Sequence, residues 1–452
     1  MSESLRRTLD LRDLVLIVIG TVIGSGIFLV PAVVMRQSGG HVGVAMLVWV
    51  VAGVLSLLGA LTYGELGAAH PEAGGLYAYI RNAFGPLPAF MYGWAMFTVI
   101  SSGSSATLAV AFAGYLGQLV PLSPAMLKLV AVLMIVIVAA VNVRGTRQSA
   151  DMQNWTTGIK VVAIVGVSIA LLIFGTRGGA GAVQASVWPA SFTPQLLSGV
   201  GLAMIAVLWA YEGWQYVTFS AGETKDVQRT FPRAIVIGTG ALIGIYVLAN
   251  LGYNAALGAA GVAGAERVAA DAVGATFGPT WAKAISVVIL VAIFSACNGL
   301  TLTAPRLYYA MARDGVFFKR LADVHPRFGT PAVAIIASSV WAAVLALSGT
   351  FEQLLTYVVF AGWIFYGLGA LAVFADRRQR PNGPRPFKVP GYPLTPILFV
   401  ASAAAIVINT MVSQPARAAL GLVAVALGIP IFYLWRLRAK SDRGSSPPPA
   451  VE

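Results

Sequence analysis

Residues 21–30 read TVIGSGIFLV, with Gly24-Ser25-Gly26 inside an apolar stretch (residues 14–35) long enough to cross a bilayer. About 20 apolar residues as helix span the hydrocarbon core. Each glycine costs a helix interior roughly 1 kcal/mol relative to alanine, so a glycine pair at mid-membrane predicts an unwound turn. Non-helical backbone at that depth survives only where it is buried in protein or lines a cavity. Residues 209–214, WAYEGW, place a similar interruption near the middle of the sixth apolar stretch. Each break leaves half-helices with free N–H groups at one end and free C=O groups at the other. A zwitterion matches that pair. Its carboxylate would take the amides that follow 24–26, at Gly24, Ser25, Gly26 and Ile27. Its ammonium would take carbonyls near Trp209 and Ala210, with Glu212 and Gly213 completing the second break.

The rest of the chain is consistent with membrane residence. Of 452 residues, 58% are hydrophobic and 10% charged, against about 25% charged in soluble domains, and the mean hydropathy is +0.80. A soluble enzyme is excluded. Apolar stretches recur near 14–35, 42–64, 82–127 (one span and a proline turn), 127–143, 153–176, 194–221, 234–257, 281–311, 331–347, 354–374, 394–412 and 420–437, which makes twelve spans. The two breaks fall five spans apart, each in the first span of a block of five. Five is odd, so such a repeat sits inverted in the membrane, the pattern that marks the binding site of many secondary transporters. This divides the chain into a tail (1–13), two five-span repeats (14–176 and 194–377), two further spans (394–438) and a polar, proline-containing end (439–452), expected to be disordered.

The net charge of +13 is an orientation signal. With the N-terminus cytoplasmic, 23 of the 30 basic residues fall on the cytoplasmic side, six on or near the other, and Lys160 alone within a span. This predicts both termini in the cytoplasm and removes nucleic acid as a partner. The one cysteine, Cys297, lies in an apolar run, so no intramolecular disulfide forms. His41, His70 and His325 lie at segment ends without metal-ligand spacing, and no phosphate-cradling loop is present. Neither a metal, a cofactor nor ATP is expected.

In this order and spacing, several segments resemble the amino acid–polyamine–organocation transporters, closest to the L-type amino acid transporter branch and its bacterial relatives. They are GSGIF at 24–28, YGELGAAHPEAGGLYAYIRNAFG at 63–85, WAYEGW at 209–214, AGETKD at 221–226, FPRA at 231–234, RLYYAMARDGVF at 306–317 and VHPRFGTP at 324–331. The resemblance covers roughly residues 10–440. It implies an all-α membrane fold of twelve helices, a five-plus-five inverted repeat with helices 1 and 6 broken and spans 11 and 12 outside the transport core. It also implies sodium-independent exchange of L-amino acids, neutral ones given the sparse intramembrane charge, across a bacterial-type cytoplasmic membrane. Proton-coupled symport, or exchange of cationic amino acids or polyamines, is the alternative. Animal members pair with a single-span glycoprotein through a disulfide, and Cys297 is no candidate for that linkage.

A charge at mid-bilayer is costly and marks a functional candidate. Lys160 reads either as a snorkelling side chain or, as the resemblance implies, as a cation that replaces sodium and holds span 1 near its break. Glu212 reads as an ammonium partner, a determinant of substrate charge, a proton-coupling group, or a carboxylate pinning the break through loop amides or a nearby polar side chain. Trp209 reads as a core ring or, by resemblance, as an outer cover over substrate. Glu65, near the end of span 2, calls for a basic partner, with a proton relay as the alternative. Tyr211, Trp214, Trp363 and Phe365 read as core. The cluster Ser101, Ser102, Ser104, Ser105 and Thr107 either faces the pocket or bonds neighbouring helices. Tyr77, Tyr79 and Ile80 suggest a short amphipathic helix between spans 2 and 3. Gln215, Asn298 and Leu300 are candidates for side-chain selection.

Overall fold

The computed structural model describes residues 7–72, 74–175, 186–349 and 351–435. The expected disordered end at 439–452, the last residues of span 12 beyond 435, and most of the 1–13 tail's first half lie outside them. Every named element is helical. Among the described residues ten helices are long and apolar enough to cross a membrane, and an eleventh span is formed by Leu11–Val22 and Gly26–Gln37, bent by 47° at the break between them. The apolar 17-residue helix Ala332–Ser348 stands in the ninth position, at the lower length limit for crossing. Twelve spans result.

Span 6 runs helically over Pro194–Ala210 and resumes as the tighter 3-10 helix Trp214–Glu223. Between them Gly213 adopts φ +127°, a conformation that favours glycine. Spans 1 and 6 run against each other at the centre. Span 7, Val227–Gly264, packs along spans 1, 2 and 5, and span 8, Pro279–Thr303, against spans 1, 3, 4 and 5. Spans 11 and 12 pack mainly on span 10, at the periphery.

Three segments differ from the hydropathy reading. Span 5 starts at Thr146, not near 153, because Arg147 and Asp151 interrupt the charge-free run in sequence while the helix carries both on its exposed side and buries Thr146 and Ser149 against protein. Lys160 therefore lies mid-helix. Span 7 extends over Val227–Gly264 with a kink at Gly258, followed by an unanticipated helix, Val268–Phe277. Span 8 ends at Thr303, and Pro305–Arg313 continues as a separate short helix, since Pro305 has no N–H to carry the ladder onward. The short helix between spans 2 and 3 is Leu76–Phe84, with Tyr77, Tyr79 and Ile80 buried.

The end of the bundle that carries the N-terminus is closed by polar contacts. Thr8 and Leu9 donate their amides to the Glu223 carbonyl at 2.9 and 3.0 Å, and Lys225 donates to the Leu9 carbonyl at 2.9 Å. Asp13 accepts from Arg147 at 2.8 Å and from Asn154 at 2.6 Å. The fully buried pair Arg306–Glu223 closes at 2.7 Å, with Thr146 bonded to both partners. Glu65 has the basic partner its position calls for: Arg377 grips it with two bonds of 2.8 and 2.7 Å, and the Val389 amide adds a third at 2.7 Å. On the short helix, burial opposes the Arg81 charge, but its bonds to Asp314 and Glu72 outweigh it and hold the guanidinium above its ordinary range.

Candidate functional site

At the first break the helix ends in a tight turn. The Ile23 amide still reaches Ile19, and the Gly24 amide turns back onto the Val22 carbonyl at 2.8 Å. When the helix resumes, the Gly26 and Ile27 amides have no carbonyl one turn behind them, and neither donates to a loop carbonyl among the described residues. The Ser25 hydroxyl is buried with no partner among the described residues. Small residues are needed here for space. A Cβ on Gly26 would lie 2.6 Å from the Ala210 Cα, and one on Gly24 would lie 3.0 Å from Leu108 and 3.1 Å from Ala296. Gly26 and Ala210 thus bring the two breaks into direct contact.

A narrow cavity of about 20 Å³, room for about one water molecule, lies at this junction. Thr21, Val22, Gly24, Ser25 and Gly26 line it from span 1, Trp209 and Glu212 from span 6, Ser104 and Leu108 from span 3, and Leu300 from span 8. Trp209 is buried over it. Three anticipated residues stand outside the lining. Ile27 is packed in the core. Ala210 faces Gly26, and its carbonyl accepts from the Tyr246 hydroxyl at 2.8 Å. Gly213 turns the chain and donates its amide to Gln215 at 3.2 Å.

Glu212 is held by side chains. Gln215 donates to its Oε1 at 2.6 Å, and the Tyr366 hydroxyl donates to the same oxygen. Gln215 also donates to Tyr366 at 2.7 Å. Span 6 is thereby tied to span 10 beside the break, the arrangement of a carboxylate that pins the loop. Its other oxygen has no bond among the described residues.

Lys160 is fully buried and does not reach an interface. Its ammonium donates to the Gly20 and Ile23 carbonyls at 2.6 Å each and to Ala292 on span 8 at 3.5 Å. It thus caps the carbonyl end of the first half-helix, where a positive charge is favoured.

Of the serines, Ser104 lines the cavity, whereas Ser101, Ser102 and Ser105 face a separate hollow with Ser338 and Ser339. Thr107 bonds back to the Gly103 carbonyl. Leu300 lines the main cavity, but Gln215 belongs to the Glu212 network. Asn298 sits in a buried polar cluster, bonded to Asn142 at 2.8 Å and Gln153 at 2.9 Å. Tyr211, Trp214, Trp363 and Phe365 are all buried in aromatic packing.

Sequence reasoning missed Tyr246 and Tyr366. Tyr246, on span 7, approaches the Val22 carbonyl at 3.3 Å as well as Ala210, so one hydroxyl serves the carbonyl ends of both broken spans. The available signal was a tyrosine hydroxyl near mid-membrane, which requires a partner when buried.

The family described as Amino acid permease matches residues 9–434. The human cystine/glutamate transporter is 31% identical over 449 residues, covering 97% of this chain and 87% of that one. The mouse b(0,+)-type amino acid transporter 1 is 32% identical, over 96% of this chain and 88% of its own. The serine/threonine exchanger SteT of Bacillus subtilis is 30% identical, over 97% and 99%. With two broken spans meeting at a narrow cavity and a match along nearly its whole length, the chain belongs to the amino acid permease family.

Proposed function

We propose that the protein exchanges L-amino acids across a membrane, opening the cavity alternately to either side without sodium. The observation that carries this reading is the junction itself. The unpaired Gly26 amide at the cavity wall provides a carboxylate site, and the Glu212 side chain across the cavity provides a partner for an ammonium. The relatives, two transporters and one exchanger, support amino acids as the cargo and exchange as the mode. Lys160 supports sodium independence, because its ammonium already holds the carbonyls that a cation would otherwise ligate. The lysine and arginine distribution supports cytoplasmic termini, and nothing in the reading calls for a partner subunit.

The test is uptake of labelled L-alanine into proteoliposomes with and without internal unlabelled amino acid. Acceleration by internal substrate, unchanged when external sodium is replaced by choline, is expected. Uptake into empty vesicles driven by an imposed proton gradient would replace exchange by symport. A sodium requirement would remove the role given to Lys160.

A further inference from the structure

A second, larger space lies on another face of span 3. Spans 3 (Pro86–Leu119), 9, 10 (Phe351–Gln379) and 12 (Pro415–Trp435) enclose a groove of about 470 Å³. Trp94, Val99, Trp341, Leu345, Leu354 and Leu420 form its wall, and Gly103, Gly421 and Ala424 leave the room between them. The polar atoms of this wall are already bonded. The Trp94 indole donates to the Ala424 carbonyl and the Trp341 indole to the Thr98 carbonyl, each at 2.9 Å. The Thr98 hydroxyl donates to the Trp94 carbonyl at 2.8 Å. What these side chains leave for a ligand is ring faces and hydrocarbon. Leu420 and Leu427, both exposed, stand at the open side, so the groove faces the bilayer.

Arg417 stands over one end of this groove. Leu420 and Gly421 follow it by three and four residues, hence on the same helix face. Its guanidinium reaches Thr356 at 3.4 Å, next in sequence to Tyr357 of the groove wall, and Gln414 at 3.1 Å. No carboxylate pairs with it among the described residues. It lies in the first turn of span 12, where the helix dipole disfavours a cation. The Ala416 and Arg417 amides have no carbonyl one turn behind them, and the first amide to close a turn is that of Ala418, onto Gln414 at 3.0 Å. A cation and free helix amides at one point suit an anion, and the apolar groove beside them suits a hydrocarbon chain. Span 3 meets this groove through its π-helical turn, Met96–Ile100, a feature frequent at functional sites. Gly103 lines the groove, and its neighbour Ser104 lines the junction cavity.

We propose that this groove takes one acyl chain of an anionic glycerophospholipid, with the phosphate on Arg417 and the first-turn amides of span 12. The seated chain braces span 3 behind Ser104 during exchange. The brace rests on the exchanger reading above, and the lipid site does not.

The experiment is native mass spectrometry of the purified, delipidated full chain, titrated with phosphatidylglycerol or phosphatidylcholine of identical acyl chains. Phosphatidylglycerol is expected to be retained at about fivefold lower concentration, the worth of one arginine near a lipid surface. Arg417→Gln loses this preference, and Arg417→Lys keeps it. Ala424→Phe fills the groove and loses retention of both lipids. Glycerol 3-phosphate, which carries the anion without a chain, displaces neither. Equal retention of the two lipids, an unchanged preference in Arg417→Gln, or displacement by glycerol 3-phosphate overturns the site. If Ala424→Phe does not fold, Arg417→Gln and glycerol 3-phosphate still decide. Alanine counterflow in phosphatidylcholine vesicles is expected to quicken when phosphatidylglycerol is included, and Arg417→Gln to lose that gain. Equal counterflow in both membranes, with selective retention intact, overturns the brace. Selective retention without counterflow in either membrane leaves the lipid site standing and removes the exchanger reading.

Discussion

The Lys160 ammonium lies 2.6 Å from the Ile23 carbonyl oxygen, at the point where the first half of span 1 stops being a helix. A cation built into span 5 therefore fixes the shape of the break in span 1. Lys160→Ala strands the Gly20 and Ile23 carbonyls in a dry interior, at about 1–3 kcal/mol each. Exchange is expected to fall at least about tenfold, measured as counterflow in proteoliposomes. Wild-type flux in this variant would reduce the lysine to a packing element.

Tyr246→Phe removes one oxygen and no bulk. Because that hydroxyl serves the Ala210 carbonyl and approaches Val22, the loss is expected to lower thermal stability by about 1–3 kcal/mol. Turnover should drop more than apparent affinity, since both carbonyl ends become free to shift. Unfolding in detergent and concentration-dependent counterflow separate the two effects.

Gly26→Ala places a methyl group 2.6 Å from the Ala210 Cα and 2.7 Å from its Cβ. Overpacking of this kind typically costs about 1–3 kcal/mol, and here the strain falls on the carboxylate site. Amino acid binding is expected to be lost in protein that still inserts and purifies. Retained affinity would mean that the two breaks can separate without consequence.

Glu212 and Tyr366 should behave as one unit. Glu212→Gln replaces the carboxylate acceptor of the Tyr366 hydroxyl by a weaker neutral one, and Tyr366→Phe removes the hydroxyl through which both Glu212 and Gln215 tie span 6 to span 10. In a double-mutant cycle on melting, the pair is expected to show a coupling of about 0.5–3 kcal/mol, as contacting residues do. Additive effects would show that the carboxylate acts alone. A proton-gradient dependence of uptake that disappears in Glu212→Gln would assign it to proton coupling.

Glu65→Ala removes a carboxylate that is 1% exposed and leaves Arg377, 23% exposed, without its partner. The expected loss is up to about 3 kcal/mol of stability, softened by the water that still reaches Arg377. Substrate preference should not change, since neither residue lines the cavity, and a displacement series checks this.

The spans and both breaks were legible because each depends on local chemistry: runs of apolar residues, and glycines where a helix cannot afford them. The basic partner of Glu65 was legible for a similar reason, since a carboxylate in that position demands one. Contacts between distant spans were not. Nothing near Tyr246 in sequence points to Val22 or Ala210, and nothing near Asn298 separates a substrate contact from a bond to Asn142. The start of span 5 was misread because hydropathy measures affinity for lipid, whereas Thr146 and Ser149 are covered by protein and bonded to it. Lys160 illustrates both cases: its charge marked it, but its depth in the helix needed the folded chain.

The main-chain pairing of Thr8 and Leu9 with residues 223–225 limits how this end of the bundle opens. The first half of span 1 cannot swing away from the foot of span 6 without giving up three backbone hydrogen bonds and the burial of Leu9 together. Such a step has a threshold: it is shut or sprung, with few stable positions between. A cycle that includes it would have a high activation enthalpy and a rate that climbs steeply with warming. A cycle in which both pieces travel as one body would leave the clasp fastened and the rate only gently dependent on temperature.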